Sequence, residues 1–415
     1  MQEVREIALD DLQQFAVIVG NAYPSFGLDT PEALQRFGER LRSEQADPLA
    51  RYYGLYRDGA LLGGMRLYDF TMNMRGSMIP AAGVGLVAVD LAHKKQHVAR
   101  DMIAFFLEWA RRRGALLAIL YAFRPDFYAQ MGFGYAAKTH QYRIAPASLP
   151  ARGDRSRVRF LGPADREALA ACYARCVAVT HGLLAKRPAE IDALVTPGAR
   201  RIVGYWQGDQ LRGYMSFLFQ RGANVLLNDI DIRELIYEDR DALFGMVDFL
   251  RSQADQIQRI IITTQDDMLH LLADDPRDGQ HLILPHVFHQ SNSSGIGLMY
   301  RALDTTGLLR TLDGRQFGAG TCRLRLVVHD SFVPKNNAEL TLACANQQLE
   351  VIEERAMVDA TITLDVAAFS SLITGAATLR GLYTYGRADI SDPALLPTAS
   401  QIFATPTPPF FTTLF

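Results

Sequence analysis

Hydrophobic and polar positions change their period several times within the first 150 residues, and each change marks an element. Tyr52–Tyr56 and Leu61–Leu67 are extended apolar runs on either side of Arg57-Asp58-Gly59, a pattern that predicts a β-hairpin. Gly83–Val89 reads as a short buried strand. Val98, Met102, Phe105, Phe106 and Trp109 then recur at helical spacing, and Arg111-Arg112-Arg113 with Gly114 closes the predicted helix. Leu116–Ala122 is a second buried strand. The resulting order is hairpin, strand, helix, strand.

The same order returns 150 positions later. Gly54 aligns with Gly204, Tyr56 with Trp206, Leu61 with Leu211, Gly63 with Gly213 and Met65 with Met215, so the chain contains an internal duplication. After the second hairpin the pattern predicts a strand over Val225–Ile232, a helix carrying Leu243, Met246, Val247, Phe249 and Leu250, and the β-branched strand Ile260–Thr264. The copies differ where strand gives way to helix. The first has a basic loop, His93-Lys94-Lys95-Gln96-His97; the second has Arg233 to Asp239, predicted as an acidic loop, so only the first suits a polyanion. Pro146–Asp154 and Gln290–Gly297 read as seams. Beyond them Arg323–His329, Ala338–Ala345 and Ala360–Val366 predict strands, and Phe369–Thr374 a helix. The expected fold is α+β in three units, 1–150, 151–290 and 291–415.

Composition narrows the function. The 415 residues are 49% hydrophobic and 21% charged, which describes a chain that buries a large core and is neither disordered nor fibrous. A formal charge of -2 argues against nucleic acid or an anionic membrane as the main partner. The N-terminal residues lack the apolar stretch of a secretory signal, and the apolar C-terminal stretch from Pro393 carries five prolines, so a cytoplasmic protein without a membrane span is expected. Cys172, Cys176, Cys322 and Cys344 form no C-x-x-C pair and read as buried thiols. His281, His286 and His289 lack acidic or thiol partners at ligand spacing, so no metal is expected.

Three features could carry chemistry. The basic loop precedes a helix, whose unpaired N–H groups and positive dipole end, joined by Lys94, Lys95 and Arg100, make a seat for phosphate; a solvated lysine cluster is the plainer alternative. Chain ends are usually polar and frayed, yet the last six residues are FFTTLF and no charged side chain follows Pro393. Such an end is expected to dock. Its carboxylate, held in an apolar site, would serve as a general base, unless the segment is only an edge strand or interface. Tyr128, in a glycine-containing aromatic segment, is either an ordinary core residue or a general acid.

Val87-Ala88-Val89 followed by His93 to Arg100 resembles the acetyl-CoA motif of GCN5-related N-acetyltransferases, with His97 where that family prefers Gly. The whole chain resembles their Eis-like (enhanced intracellular survival) branch, through Arg124–Tyr135, Tyr237–Ile262, Leu364–Gly375 and the tail Pro408–Phe415. The resemblance implies an active acetyltransferase domain, a degenerate second one and a sterol-carrier-protein-like third. It implies acetyl-CoA held by Val87, Ala88, Val89, Lys94, Lys95, Gln96, His97, Val98, Ala99 and Arg100, with Phe123 and Arg124 beside them. Tyr128 would protonate the departing thiolate, and the Phe415 carboxylate would accept the amine proton. Tyr23, Phe26 and Phe37, with Asp29 and Glu32, would wall the acceptor pocket, the plainer alternative being core and surface residues of an ordinary helical hairpin. The implied acceptors are aminoglycosides, polyamines or lysines, and the implied assembly is a homo-oligomer, typically a hexamer. A lipid or sterol carrier working through residues 291–415 is the competing function.

Overall fold

The alternation read in the first hairpin runs far past the residues that announce it, because two tight turns carry it on. In the computed structural model, which describes residues 2–222, 227–279, 283–284, 286–352 and 357–415, Asp58-Gly59 and Arg75-Gly76 all have positive φ. Such turns twist with the strands they join. The first unit comprises β1 (Gln2–Glu6), α1 (Leu12–Ala22), α2 (Pro31–Glu44), β2 (Ala50–Arg57), β3 (Ala60–Met74), β4 (Ser77–Val89), α3 (Val98–Arg112), β5 (Leu117–Tyr121), α4 (Pro125–Ala129) and β6 (Gly134–Tyr135).

The second unit repeats the plan with β7 (Thr139–Ile144), β8 (Val158–Phe160), α5 (Arg166–Val179), α6 (Pro188–Val195), β9 (Arg201–Gln207), β10 (Gln210–Gln220), β11 (Asn228–Tyr237), α7 (Arg240–Arg251) and β12 (Ile257–Thr264). The expected strand at Val225–Ile232 begins among residues outside those described. Its neighbour is a correction: Arg233–Tyr237 belongs to β11, and only Glu238-Asp239 turn the chain. The charges there suggested a loop, but Glu234 is buried in the strand opposite Ser216 and paired with Lys186 at 2.9 Å.

The glycine register of the duplication has a packing cause. A Cβ on Gly63 would lie 2.7 Å from the Ala88 carbonyl, 3.2 Å from Val98 and 3.3 Å from Met102. On Gly213 it would lie 2.9 Å from the Ile236 carbonyl and 3.1 Å from both Ala242 and Met246. Each glycine lets the helix after the third long strand sit directly on its sheet.

The remaining elements are β13 (Ile283–Leu284), β14 (Phe288–His289), β15 (Asn292–Gly295), β16 (Leu298–Ala302), α8 (Thr305–Thr311), β17 (Cys322–His329), β18 (Ala338–Ala345), β19 (Gln348–Ile352), β20 (Ala360–Asp365), α9 (Val366–Ile373), α10 (Leu379–Thr384), β21 (Ala388–Ile390) and α11 (Leu396–Phe403). Sheet order is β1-β2-β3-β4-β5-β16-β6, then β15-β7-β12-β11-β10-β9-β8, then β19-β18-β17-β20-β21. Strands therefore cross the seams read at Pro146–Asp154 and Gln290–Gly297: β7 lies in the second sheet, and β16 returns to the first. The fold is α+β throughout.

The units share their cores. Tyr68, Phe70 and Met72 of the first sheet pack in one cluster with Leu326, Ile362 and Phe369 of the third unit. Arg301 on β16, with a side chain 1% exposed, donates to Asp330 at 2.7 and 2.9 Å, and Asn336 donates to the same carboxylate at 2.9 Å. Among the described residues no helix is long and apolar enough to cross a membrane. The four cysteines are free and buried.

Candidate active site

Strands β4 and β5 run parallel and pair from Ala81 with Leu117 to Val84 with Leu120, then separate while β4 continues to Val89. A bulge helps to drive them apart. Gly64 of β3 pairs with Ala88 and Arg66 with Gly85, so β4 has one residue more than its partner, and Leu86 takes φ 50°. A wedge opens between the two strands, with the edge of β4 beyond Val84 exposed to it.

The chain terminus fills the deep end of this wedge. A Cβ on Gly85 would lie 3.0 Å from the carboxyl carbon of Phe415 and 3.1 Å from its oxygen, and a Cβ on Gly83 would lie 3.0 Å from the Phe415 ring. Both glycines share one strand face, which is why the terminus can approach. The ring contacts Phe70, Tyr68 and Tyr121 at centroid distances of 5.0, 5.1 and 5.5 Å. Hydrogen bonds hold the tail: Phe410 N–H to the His181 carbonyl (2.9 Å), Phe411 N–H to Gln265 Oε1 (3.1 Å), the Thr412 hydroxyl to Glu234 Oε1 (3.1 Å), and the Tyr121 hydroxyl to the Thr413 carbonyl (3.0 Å). Three of these partners belong to the second unit. That unit therefore aims the terminus into the first.

Phe415 borders a cavity of about 700 Å³, and half of its lining residues are aromatic. Tyr23, delivered by the end of α1, donates to the Val87 carbonyl at 2.7 Å. Phe26 stacks on Tyr23 at 5.2 Å, Phe37 meets Phe26 edge-on at 6.4 Å, and Phe123, 77% exposed, meets Tyr23 at 6.1 Å. Asp29 is exposed on the loop before α2 and is not among the lining residues, and neither is Glu32.

Deeper in, Glu44 accepts from the Tyr52 hydroxyl, from Arg66 at 2.7 Å and from Arg40 at 2.8 Å. Burial pushes its pKa up, but the Tyr52 hydrogen bond and the two arginines outweigh that and hold it below the usual carboxylate range. Tyr128 is 7% exposed and packs against Phe127 and Phe133. Burial, and secondarily Tyr23 nearby, push its phenol well above the ordinary value, so it is protonated at neutral pH. Tyr128 is not among the residues that line the cavity.

At the start of α3, Lys95 and His97 both have positive φ, 63° and 62°. His97 is the N-cap and makes no side-chain capping bond, which leaves the N–H groups of Val98, Ala99 and Arg100 without intrahelical acceptors. Lys94, Lys95 and Gln96 are exposed around them, and Gln96 accepts from Arg57 at 2.9 Å. Arg100 lies 5.4 Å over the ring of Phe332, and Arg124 pairs with Asp126 at 2.5 Å. The second copy is built oppositely. Asp239 caps α7 by accepting from Ala242 N–H at 2.9 Å, and Arg212 pairs with that carboxylate at 2.8 Å. A helix start already filled by its own carboxylate has no room for an outside anion.

Sequence reasoning missed Gly83, Gly85, Arg66, Tyr121, Glu234 and Gln265. Two glycines at i and i+2 in a strand were the available signal for close approach; the polar partners of the tail had none, being distant in sequence. His281 lies outside the described residues, and among those described no cluster of three or more His, Cys, Asp or Glu could hold a metal.

Residues 3–136 match the family profile of an acetyltransferase (GNAT) domain, residues 182–291 a second acetyltransferase (GNAT) domain, and residues 308–412 a sterol carrier protein domain. An uncharacterized N-acetyltransferase of Streptomyces coelicolor is 32% identical over 224 residues, 48% of this chain and 53% of that one. N-acetyltransferase Eis of Mycobacterium bovis is 28% identical over 240 residues, 52% of this chain and 58% of that one. The chain thus spans little more than half the length of these curated relatives. Solved structures share the fold over the full chain: a GCN5-related N-acetyltransferase from Anabaena variabilis (TM-score 0.80, 20% identity, 100% of both chains) and Eis1 from Mycobacterium abscessus (TM-score 0.75, 22% identity, 100% of both chains). The chain thus carries two acetyltransferase (GNAT) domains in tandem followed by a sterol-carrier-like third, and in this arrangement it is similar to Eis-like GCN5-related N-acetyltransferases.

Proposed function

We propose that the protein is an acetyl-CoA-dependent N-acetyltransferase acting on a primary amine, with one active site in its first unit. The observation that carries this reading is the α-carboxylate of Phe415 lodged against Gly85, where the splayed strands leave backbone unpaired. Acetyl-CoA supplies the acetyl thioester. The open start of α3, with Lys94, Lys95 and the N–H groups of Val98 to Arg100, suits its phosphates, and the edge of Val87 to Val89 that faces the wedge, where Tyr23 already engages the Val87 carbonyl, suits its thioester arm. The amine nitrogen attacks the acetyl carbon, a C–N bond forms and the C–S bond breaks. The Phe415 carboxylate takes the proton that the ammonium loses, and Tyr128 gives its phenolic proton to the thiolate. Water restores both groups. The resemblance to Eis-like enzymes supports a homo-hexamer as the working assembly and brings aminoglycosides, polyamines and lysines into view as acceptors.

The test removes the carboxylate and leaves the fold. A C-terminal tag turns the Phe415 carboxylate into an amide, while deletion of Phe415 shifts the terminus by about 3.3–3.6 Å. Both variants are expected to melt near the wild-type temperature and to bind acetyl-CoA. Both should lose most thiol release at neutral pH, with partial recovery at higher pH, where the amine is already neutral. Full activity in the tagged protein would show that the proton leaves by another route.

A further inference from the structure

We propose that the acceptor is an aromatic primary amine that also carries a carboxylate, and that the polycations which the resemblance brings into view are poor substrates of this chain. This rests on the acetyltransferase reading and names the substrate class of that same site. Among the residues lining the cavity there is no Asp or Glu. Its one anion is the Phe415 carboxylate, which meets the reacting amine and is used up by it. Two guanidinium groups, Arg40 and Arg66, do line it. They share a single carboxylate, Glu44, which lies behind the wall, so the cluster holds one positive charge more than it neutralises.

Neither arginine is saturated. Arg66 Nε is buried without a hydrogen-bond partner, and the Arg40 side chain is 64% exposed. The Arg66 guanidinium is also fixed in place, lying 5.1 Å over the ring of Tyr52 and 5.0 Å over that of Tyr68. A second or third ammonium group on the acceptor would face this surplus positive charge with nothing to pair it. A carboxylate would complete it, through the bidentate geometry that arginine favours. Half of the wall is aromatic: Tyr23, Phe26, Phe37, Tyr68, Tyr121 and Phe123 among them offer faces and edges suited to one aromatic group. A volume of about 700 Å³ lies in the range of small-molecule sites.

Matched pairs of acceptors test this with the full-length enzyme and acetyl-CoA, read by thiol release. In each pair only the carboxylate differs: 4-(aminomethyl)benzoate against benzylamine, and phenylalanine against 2-phenylethylamine. Spermidine and kanamycin represent polycations. In at least one pair the carboxylate-bearing amine should exceed its partner by about tenfold or more in kcat/KM, the scale of one charge-assisted contact. It should also exceed both polycations. Arg40→Gln, at the exposed mouth, should shrink that preference to within about threefold, and Arg66→Gln should do the same if it folds. Calorimetric binding of the same ligands gives a readout independent of turnover. Selective binding of the carboxylate-bearing amine without thiol release from any acceptor would uphold the pocket's preference and sink the acetyltransferase reading. Polycations turned over as well as the carboxylate-bearing amines, or equal use and binding within both pairs, would overturn the substrate class while the activity stood.

Discussion

Two residues, Tyr128 and His97, would serve the proposed chemistry through settings that chain neighbours do not dictate. Tyr128 is buried among aromatic rings, and its raised pKa means that it loses its proton only above its ordinary value near 10. A general acid must be protonated, so ionisation of Tyr128 should cause no fall in rate between pH 7 and 10. Tyr128→Phe should lower turnover by about 10²–10⁴ with acetyl-CoA affinity nearly intact; turnover within a few-fold of wild type would make Tyr128 a packing residue. His97 stands where the family prefers Gly and nonetheless adopts φ 62°. Histidine tolerates that region better than most side chains, whereas a β-branched residue does not. His97→Val should therefore destabilise the start of α3, by about 1–2 kcal/mol, and weaken acetyl-CoA binding, and His97→Gly should do neither. Calorimetry and thermal melts of the two variants would decide this, and equal behaviour would mean that the loop does not need its left-handed turn.

At the scale of elements, the duplicated strand-helix units differ in how the helix begins. The start of α3 is open and basic; that of α7 is closed by Asp239 and its arginine partner. One acetyl-CoA per chain is the expected stoichiometry. Lys94→Ala with Lys95→Ala should cut the affinity about tenfold or more, since two charge-assisted contacts are lost. Titration calorimetry reads both quantities, and either two sites per chain or an unchanged affinity would place the phosphates elsewhere. Much of this contrast was legible in the chain, because helix starts and basic loops are local signals. The bulge at Leu86 was not, since it depends on how β3 and β4 register with each other. The misreading of Arg233–Tyr237 has the same cause: Glu234 looks like a loop residue until Lys186, Tyr214 and Thr412, from three distant segments, are found around it.

Over the whole molecule the legible part was the inventory of units and the docked tail, and the hidden part was how the units lock together. No local pattern announces that β16 returns to the first sheet, or that Asn73, His181 and Thr374 meet where all three units join. There His181 accepts from Arg75 N–H at Nδ1 (3.2 Å), so it is neutral, and its Nε2–H donates to the Thr374 carbonyl at 2.8 Å. Arg75 crosses the same junction to the Phe403 carbonyl at 2.6 Å, and burial pushes its pKa down to about 10. Burial chiefly, with Arg75 adding to it, also holds the His181 pKa below 6.5, although its bonds to backbone oppose this. The unfolded chain therefore binds this proton first as pH falls, so stability drops below about pH 6.5 and levels off once the folded-state pKa is passed. The slope this one group adds cannot exceed about 1.4 kcal/mol per pH unit. Because the His181 carbonyl also receives Phe410 N–H, acid that loosens the junction should release the docked terminus. His181→Gln, which can donate and accept without titrating, should flatten the fall in melting temperature between pH 7.5 and 5.5 and extend activity to lower pH. If the variant and wild type lost stability in parallel over that range, the junction histidine would not be the group that senses the proton.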